Sequence, residues 1–141
     1  MKKITDLIPH RKPFLFVDVL DEVSEERIVG RKIFTEEEFF FAGHFPDYPV
    51  VPGVILIESM AQTGGAGIGE LGIVGNVIFF LATVDKVKFR RQVRPNEEVR
   101  YEIENVRVSK TMLKQRGKGY VGDEMAIEAE WLCLIKQQDQ V

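Results

Sequence analysis

A histidine and a glutamate stand out in a stretch largely built to be buried. In FFFAGHFPDYPVVPGVILIESMAQ, Phe39 to Gln62, His44 sits between a glycine and Phe-Pro, and Glu58 follows fourteen residues later inside an apolar run. An unpaired polar group in an apolar setting costs on the order of 2–7 kcal/mol, and an unpaired charge costs more. A histidine capping a turn and a glutamate paired with a neighbour would be one explanation, a proton-transfer set the other. Three local features favour the second. Gly43, Pro46, Pro49, Pro52 and Gly53 make the segment tightly turned and stiff, the support a side chain needs to hold one geometry. The loop delivers the chain to a helix start, where the N–H groups of Gly53 and Val54 are free to hold a developing oxyanion. Glu58 and Gln62 are four apart, one above the other on a helix face, so that an amide can orient the acid.

Such a set suits one kind of reaction. An imidazole titrates near about 6.5, so it can take a proton in one step and return it in the next. A carbonyl held by helix N–H groups has a more acidic α-hydrogen, because the enolate is stabilised. Removing that hydrogen and expelling a β-hydroxyl as water is an elimination that needs no metal and no cofactor.

The elements that must position these groups can be read from pattern. VILIESMAQTGGAGIGELG after Pro52-Gly53 predicts a helix from about Gly53 to about Gly67, roughly 20 Å long, with the proline as its pre-organised entry. It is apolar almost all round, so it is expected inside the protein, with Ser59, Ala61, Gly64 and Gly65 allowing close approach. Upstream, Phe14 to Val19 and Arg27 to Phe34 are rich in β-formers and separated by the charged DEVSEER. Thr35-Glu36-Glu37-Glu38 matches a capping box and predicts one or two helical turns through the phenylalanines that follow. ITDLIPHRKP allows at most a turn of helix before Pro9. From Val77 on, VIFFLATVDKVKF, EVRYEIENVRV, MLKQRGKGYV and EMAIEAEWLCLIK read as four strands. In the last, Met125, Ile127, Ala129, Trp131, Cys133 and Ile135 alternate with Glu128, Glu130 and Lys136, as a half-buried antiparallel strand requires. The sum is an α+β fold, an antiparallel sheet wrapped around one long central helix, as a single domain over residues 1–141.

Composition narrows the function classes. With a net charge of −3 the chain offers no general basic face for nucleic acid. Its one cysteine, Cys133, allows no disulfide within the chain, which suits a reducing compartment and a place in the core. No segment has the apolar length of a membrane span or a signal peptide, and the cytoplasm is the expected location. Gly67-Ile-Gly-Glu-Leu-Gly72 matches a dinucleotide fingerprint only formally, since it follows a helical run rather than a strand. His10, His44 and Cys133 lack ligand spacing for a metal, and Ser24, Ser59 and Ser109 lack a nucleophile elbow.

The segment GHFPDYPVVPGVILIESMAQ, with LIPHRKPFLFVD upstream and KVKFRRQVRP downstream, closely resembles the (3R)-hydroxyacyl-acyl-carrier-protein dehydratases of bacterial fatty-acid synthesis, over residues 7 to about 135. The resemblance implies a hot-dog fold. It implies that His44 and Glu58 are the catalytic pair, His44 of one subunit facing Glu58 of another in a homodimer with shared active sites, and that dimers assemble into hexamers. It also implies that the Gly53 N–H polarises the thioester carbonyl, with Val54, Gln62 and Phe45 beside the substrate, and that the acyl carrier protein is the partner. No cofactor is implied, no nucleic acid and no membrane insertion.

That carrier is acidic, and Lys86, Lys88, Arg90, Arg91 and Arg94 form a basic strip without an acidic residue among them. In a regular strand Lys86, Lys88 and Arg90 share the face opposite Val87 and Phe89, either as an ordinary solvated edge or as a surface steering the carrier. Phe79, Phe80, Val87 and Phe89 are candidates for an acyl tunnel as well as for plain core. Related readings are a dehydratase that also isomerises trans-2 to cis-3 enoyl chains, a thioesterase, or a non-enzymatic acyl-thioester-binding protein. Glu58 favours the plain dehydratase over isomerising relatives, which usually carry aspartate there, and the GHFP histidine argues against the last two. Tyr48, Ile55 and Ser59 depart from the usual family pattern and bear on chain-length preference.

Overall fold

The computed structural model describes residues 2–140, with the side chain of Gln140 left out. Six antiparallel strands form one sheet: β1 (Val19–Val23), β2 (Arg27–Ile33), β3 (Val77–Phe89), β4 (Glu98–Val108), β5 (Met112–Val121) and β6 (Glu124–Gln137). Their spatial order is β1-β2-β4-β5-β6-β3. A one-turn helix α1 (Ile4–Leu7) opens the chain, and the long helix α2 (Gly53–Leu71) lies against the inner face of the sheet, touching all six strands. This is the α+β hot-dog arrangement.

The four later strands lie where the β-rich runs place them. On β6 Ile127, Ala129, Trp131, Cys133 and Ile135 are buried against the helix, while Glu128 and Glu130 face outward with their cross-strand partners Lys118 and Arg116. The inner face of the sheet meets Met60 and Ile68 of α2, both fully buried, beside Trp131, Tyr101 and Ile103.

Helix α2 runs four residues past the predicted end. Pro52 is its N-cap rather than its first helical residue, and Gly72 ends it in the left-handed conformation (φ 71°), where a glycine carries no steric penalty. Gly67 and Gly69 therefore lie inside the helix, which removes the formal dinucleotide fingerprint from any loop. Glycine interiors weaken a helix by about 1 kcal/mol each, so tertiary packing must hold this one. The packing is close. A Cβ on Gly67 would meet Ile28 Cγ1 at 2.6 Å and one on Gly69 would meet the Leu7 carbonyl oxygen at 2.9 Å.

Two upstream expectations are corrected. The first strand is Val19–Val23, not Phe14–Val19. The backbone of Phe14–Phe16 is instead satisfied by helix side chains: Phe16 N–H donates to Gln62 Oε1 (2.7 Å), Ser59 Oγ donates to Phe16 O (2.7 Å) and Gln62 Nε2 donates to Phe14 O (3.0 Å). The segment runs from an exposed Phe14 to a fully buried Phe16, and its neighbour is a helix. The capping box at Thr35–Glu38 does not form either. Glu38 precedes a short 3₁₀ helix (Phe39–Ala42) without capping it, and its carboxylate goes to the buried Lys32 (3.2 Å), which also contacts Asp18 (3.4 Å). Pairing a 7% exposed ammonium outweighs a local cap.

Gly64 gives a test with opposite signs for two effects. A Cβ there would fall on Oε1 of Gln115 and lie 2.8 Å from its Cδ. That amide cannot yield, since Oε1 accepts from Trp131 Nε1 (3.1 Å) and Nε2 donates to Asn105 Oδ1 (2.8 Å) and to Gly64 O (3.3 Å). Helix propensity alone would make Gly64→Ala stabilising by up to about 1 kcal/mol. We expect a loss of about 2–3 kcal/mol instead, read from urea unfolding, because overpacking and a broken buried amide network add.

Candidate active site

The loop from Gly43 to Pro52 is held by its own backbone and by the segment after β3. His44 N–H donates to Phe40 O (3.0 Å), Val50 N–H to His44 O (2.9 Å), and Val51 N–H to Val93 O (2.8 Å). Tyr48 is pinned from outside: its hydroxyl donates to Gln92 Oε1 (2.9 Å) and the Arg94 guanidinium lies 4.0 Å over its ring. A stiff loop thus presents a half-buried imidazole. His44 Nδ1 is 3.0 Å from Val50 O. A carbonyl only accepts, so Nδ1 carries the proton and Nε2 is left as the basic nitrogen. The Phe45 ring stacks on the imidazole at 4.2 Å and is 52% exposed.

Glu58 is fixed from the other side. Because Gln62 Oε1 is taken by the Phe16 N–H, its NH₂ must face Phe14 O and the carboxylate, and Nε2 donates to Glu58 Oε2 at 2.8 Å. The amide is only 3% exposed and all its groups near the acid are committed, so it is a rigid donor. Ahead of both groups lies the start of α2. The first N–H groups returning to Pro52 O are those of Ile55 (2.9 Å) and Leu56 (3.2 Å), which leaves Gly53 and Val54 N–H outside the helical ladder. Val54 is 71% exposed. The Phe89 ring would lie 2.8 Å from a Cβ on Gly53, so only glycine leaves that backbone open under the aromatic.

Within one chain His44 and Glu58 are not joined: among the described residues no hydrogen bond or ion pair links them, and Glu58 contacts Gln62 and His10 instead. Sequence reasoning set His10 aside with the metal question, yet its Nε2 lies 3.6 Å from Glu58 Oε2. The signal for it was the nearness of LIPHRKPF to the Phe14–Phe16 segment that docks on Gln62. No cluster suited to a metal ion occurs among the described residues. Cys133 is core: burial, reinforced by the Glu58 charge, pushes its thiol up to about 12, so it stays protonated.

The basic strip is less free than its sequence suggests. Lys86 has φ 52° at a bulge between Asp85 and Lys88, which breaks the alternation expected there. Lys86 pairs with Glu130 (3.2 Å), Arg90 with Glu128 (2.9 Å), and Arg91 with Glu97 (2.8 Å), while Lys88 stands opposite Glu128 in register. Arg94 lies on Tyr48. Of the tunnel candidates, Phe79 packs toward Gly65 of the helix, whereas Phe80 pairs with Leu134 on the outer face and is 43% exposed, so it lines no interior.

A sequence model of the FabA-like domain matches residues 8–130. The 3-hydroxyacyl-[acyl-carrier-protein] dehydratase FabZ of Desulforamulus reducens is 45% identical over 136 residues, covering 96% of each chain. That of Pelotomaculum thermopropionicum is 42% identical over 137 residues, covering 96% of this chain and 98% of the relative. Among solved structures, a chain of the dehydratase heterocomplex ApeI:P from Xenorhabdus doucetiae superposes with a TM-score of 0.83 at 13% identity, over 99% of this chain and 94% of that one. A hypothetical thioesterase with coenzyme A from Streptococcus pneumoniae gives 0.61 at 9% identity, over 85% and 86%. At such identities the two structures speak for the hot-dog fold alone, whereas the family model, over residues 8–130, runs through the His44 loop, helix α2, strands β1 to β5 and the first half of β6. The chain belongs to the FabA-like family, with 3-hydroxyacyl-[acyl-carrier-protein] dehydratases as its relatives.

Proposed function

We propose that this chain, acting as one domain, dehydrates (3R)-3-hydroxyacyl-acyl-carrier-protein to the trans-2-enoyl thioester in fatty-acid elongation. The observation that carries the reading is the tautomer of His44: Val50 O holds the Nδ1 proton, so Nε2 is available as a base beside two free helix N–H groups. His44 Nε2 takes the C2 proton of the substrate. The electron pair moves to the thioester oxygen, where the N–H groups of Gly53 and Val54 stabilise it. When the carbonyl re-forms, the C2–C3 double bond forms and the C3–O bond breaks. Glu58 gives its proton to the departing hydroxyl, which leaves as water, and the proton on His44 later restores Glu58. Phe45, stacked on the imidazole, closes the substrate side of the ring.

His44 and Glu58 are completed across a homodimer in this reading. The supporting features are the lack of a contact between them in one chain and an open 13-residue edge strand, β3, that carries Leu81 and Phe89 at 40% and 53% exposure. Dimers assembling into hexamers, and a cytoplasmic location, are carried over from the family resemblance. No helix among the described residues is long and apolar enough to cross a membrane.

The pairing is tested with crotonyl- and 3-hydroxydecanoyl-carrier-protein. His44→Ala and Glu58→Gln should each lower kcat at least about 100-fold with KM little changed, as expected for lost acid–base transfer. Mixed dimers of the two inactive variants should recover about a quarter of the wild-type rate, since half of the dimers then hold one intact site by two-fold symmetry. Either variant keeping most of its rate would sink the roles assigned, and no recovery on mixing would sink the shared site.

The acidic carrier protein is proposed to dock at the Lys86–Arg94 strip, with Lys86 and Arg90 as the cations most able to turn to a partner. Both are paired at the surface, where ion pairs contribute little and exchange readily. Lys86→Glu with Arg90→Glu should raise KM for carrier-bound substrate several-fold at low ionic strength and leave a short thioester mimic unaffected. Arg91→Glu should instead lower the melting temperature, because its bidentate pair with Glu97 ties down the turn before β4. Equal effects of the double reversal on both substrates would remove the docking role.

A further inference from the structure

Two side chains converge on the Glu58 carboxyl, the Gln62 amide and the His10 ring, and only the amide has a role so far. His10 lies on the segment between α1 and Phe14, its ring mostly covered, with Nε2 3.6 Å from Glu58 Oε2. The Gln62 amide donates to that same oxygen at 2.8 Å. No donor among the described side chains reaches Oε1. The neighbouring Arg11 does not compete, because its guanidinium donates to the carbonyls of Thr5, Ile8 and His10 at 2.7–3.0 Å and so clamps the segment that carries the ring.

The other ring nitrogen of His10 fixes the tautomer. Nδ1 is buried and has no hydrogen-bond partner. A buried N–H without an acceptor costs more than a bare lone pair beside apolar atoms, so the proton sits on Nε2, facing the carboxylate. Protonating the ring would create that unpaired N–H, and burial holds the His10 pKa below its ordinary value, with the Arg11 charge acting in the same sense and the Glu58 charge opposing it. These two are the charged groups that act on the ring. Cys133 feels the Glu58 charge too, but stays protonated. His10 is therefore a neutral Nε2–H donor at neutral pH. At 3.6 Å the contact is electrostatic in the free protein, and such contacts commonly shorten once substrate excludes water.

We propose that His10 is a positioning residue for the acid of the dehydratase: with Gln62 it holds Oε2 of Glu58, so that Oε1 is the oxygen that carries the proton to the leaving hydroxyl. The inference rests on the dehydratase reading for its catalytic consequence, and on geometry alone for its effect on Glu58. The Gln62 N–H on Oε2, with the His10 N–H facing the same oxygen, suits a carboxylic acid whose carbonyl oxygen is Oε2 as well as the carboxylate left after transfer. The acid can thus cycle without rotating.

The test uses the full-length protein and two readouts. In His10→Ala, kcat should fall about tenfold, the worth of one hydrogen bond to a charged group, with KM within about twofold. The carbon-13 chemical shift of the Glu58 carboxyl, identified by its loss in Glu58→Gln, should move away from its wild-type position, because an N–H facing Oε2 is gone. His10→Gln places an amide N–H near the former Nε2 and should restore most of both. If His10→Ala melts well below the wild type, His10→Leu keeps the bulk without the donor and is read instead. An unmoved carboxyl signal in a folded donor-less variant, or a Gln variant as impaired as Ala in both readouts, overturns the proposal. A wild-type protein that dehydrates nothing would sink the functional reading while the carboxyl signal still judges His10. A dehydrating wild type whose carboxyl signal stays unmoved in the variants sinks the His10 proposal alone.

Discussion

The amide of Gln62 is the contact on which the site depends. An apolar helix has no use for a primary amide, and burying one without partners would cost several kcal/mol. Here the cost is offset because the amide replaces a strand: it accepts from Phe16 N–H and donates to Phe14 O, while Ser59 Oγ donates to Phe16 O. With the amide oriented by the backbone it serves, its remaining N–H has a single direction left, and Glu58 stands there. The Glu58 carboxyl is thereby held by the same bonds that fasten the N-terminal segment to the helix. Fold and site share a part, and neither can loosen alone.

The helix that carries this amide is locally poor. Gly64, Gly65, Gly67 and Gly69 crowd its second half, and it contains no charge until Glu58 and none afterwards until Glu70. What makes it a helix is the surroundings. Gln115, Ile28, Phe79 and Leu7 each occupy the space where a side chain would be, so the missing atoms of the helix are supplied by the sheet and by α1. Close approach of backbone to sheet also excludes water from the region behind Glu58 and Ser59, which strengthens the polar contacts made there.

How much of this the sequence disclosed follows from where the partners lie. Strands β3 to β6 were legible to within a residue as β-rich runs bounded by polar breaks, and β6 most clearly because it faces helix on one side and solvent on the other, a contrast that prints itself as alternation. His44, Glu58, Gln62 and Gly53 were legible because their types are costly in such a segment and their spacing sets them on one loop and one helix face. Phe14–Val17 was misread as a strand because its hydrogen-bond partners are side chains 43 to 48 positions away, which no local pattern records. The capping box failed for the same kind of reason, since Glu38 answers to Lys32 on a neighbouring strand. The charges of the basic strip were visible, but their neutralisation was not, because Glu128 and Glu130 reach them only through the β3–β6 register.

The two edges of the sheet differ in a way that bears on the proposed shared site. Strand β1 is five residues long with a bulge, the kind of edge that discourages pairing. Strand β3 is 13 residues long, and its own bulges at Leu81 and Asp85 divide it into short straight runs. Phe89 at its end lies over Gly53, and Phe45, Tyr48 and Val54 are exposed on the loop and helix start that hold His44. Exposed large apolar groups thus run from the end of β3 to the loop and helix start that carry His44, beside others such as Val19, Ile33 and Ile73 that lie elsewhere. A protein that keeps its basic nitrogen, its free helix N–H groups and its least protected edge together gains most if a second molecule covers them. In the proposed dimer, covering that edge excludes water from His44 and brings a carboxyl of the second molecule to it, the arrangement on which the proposed elimination rests.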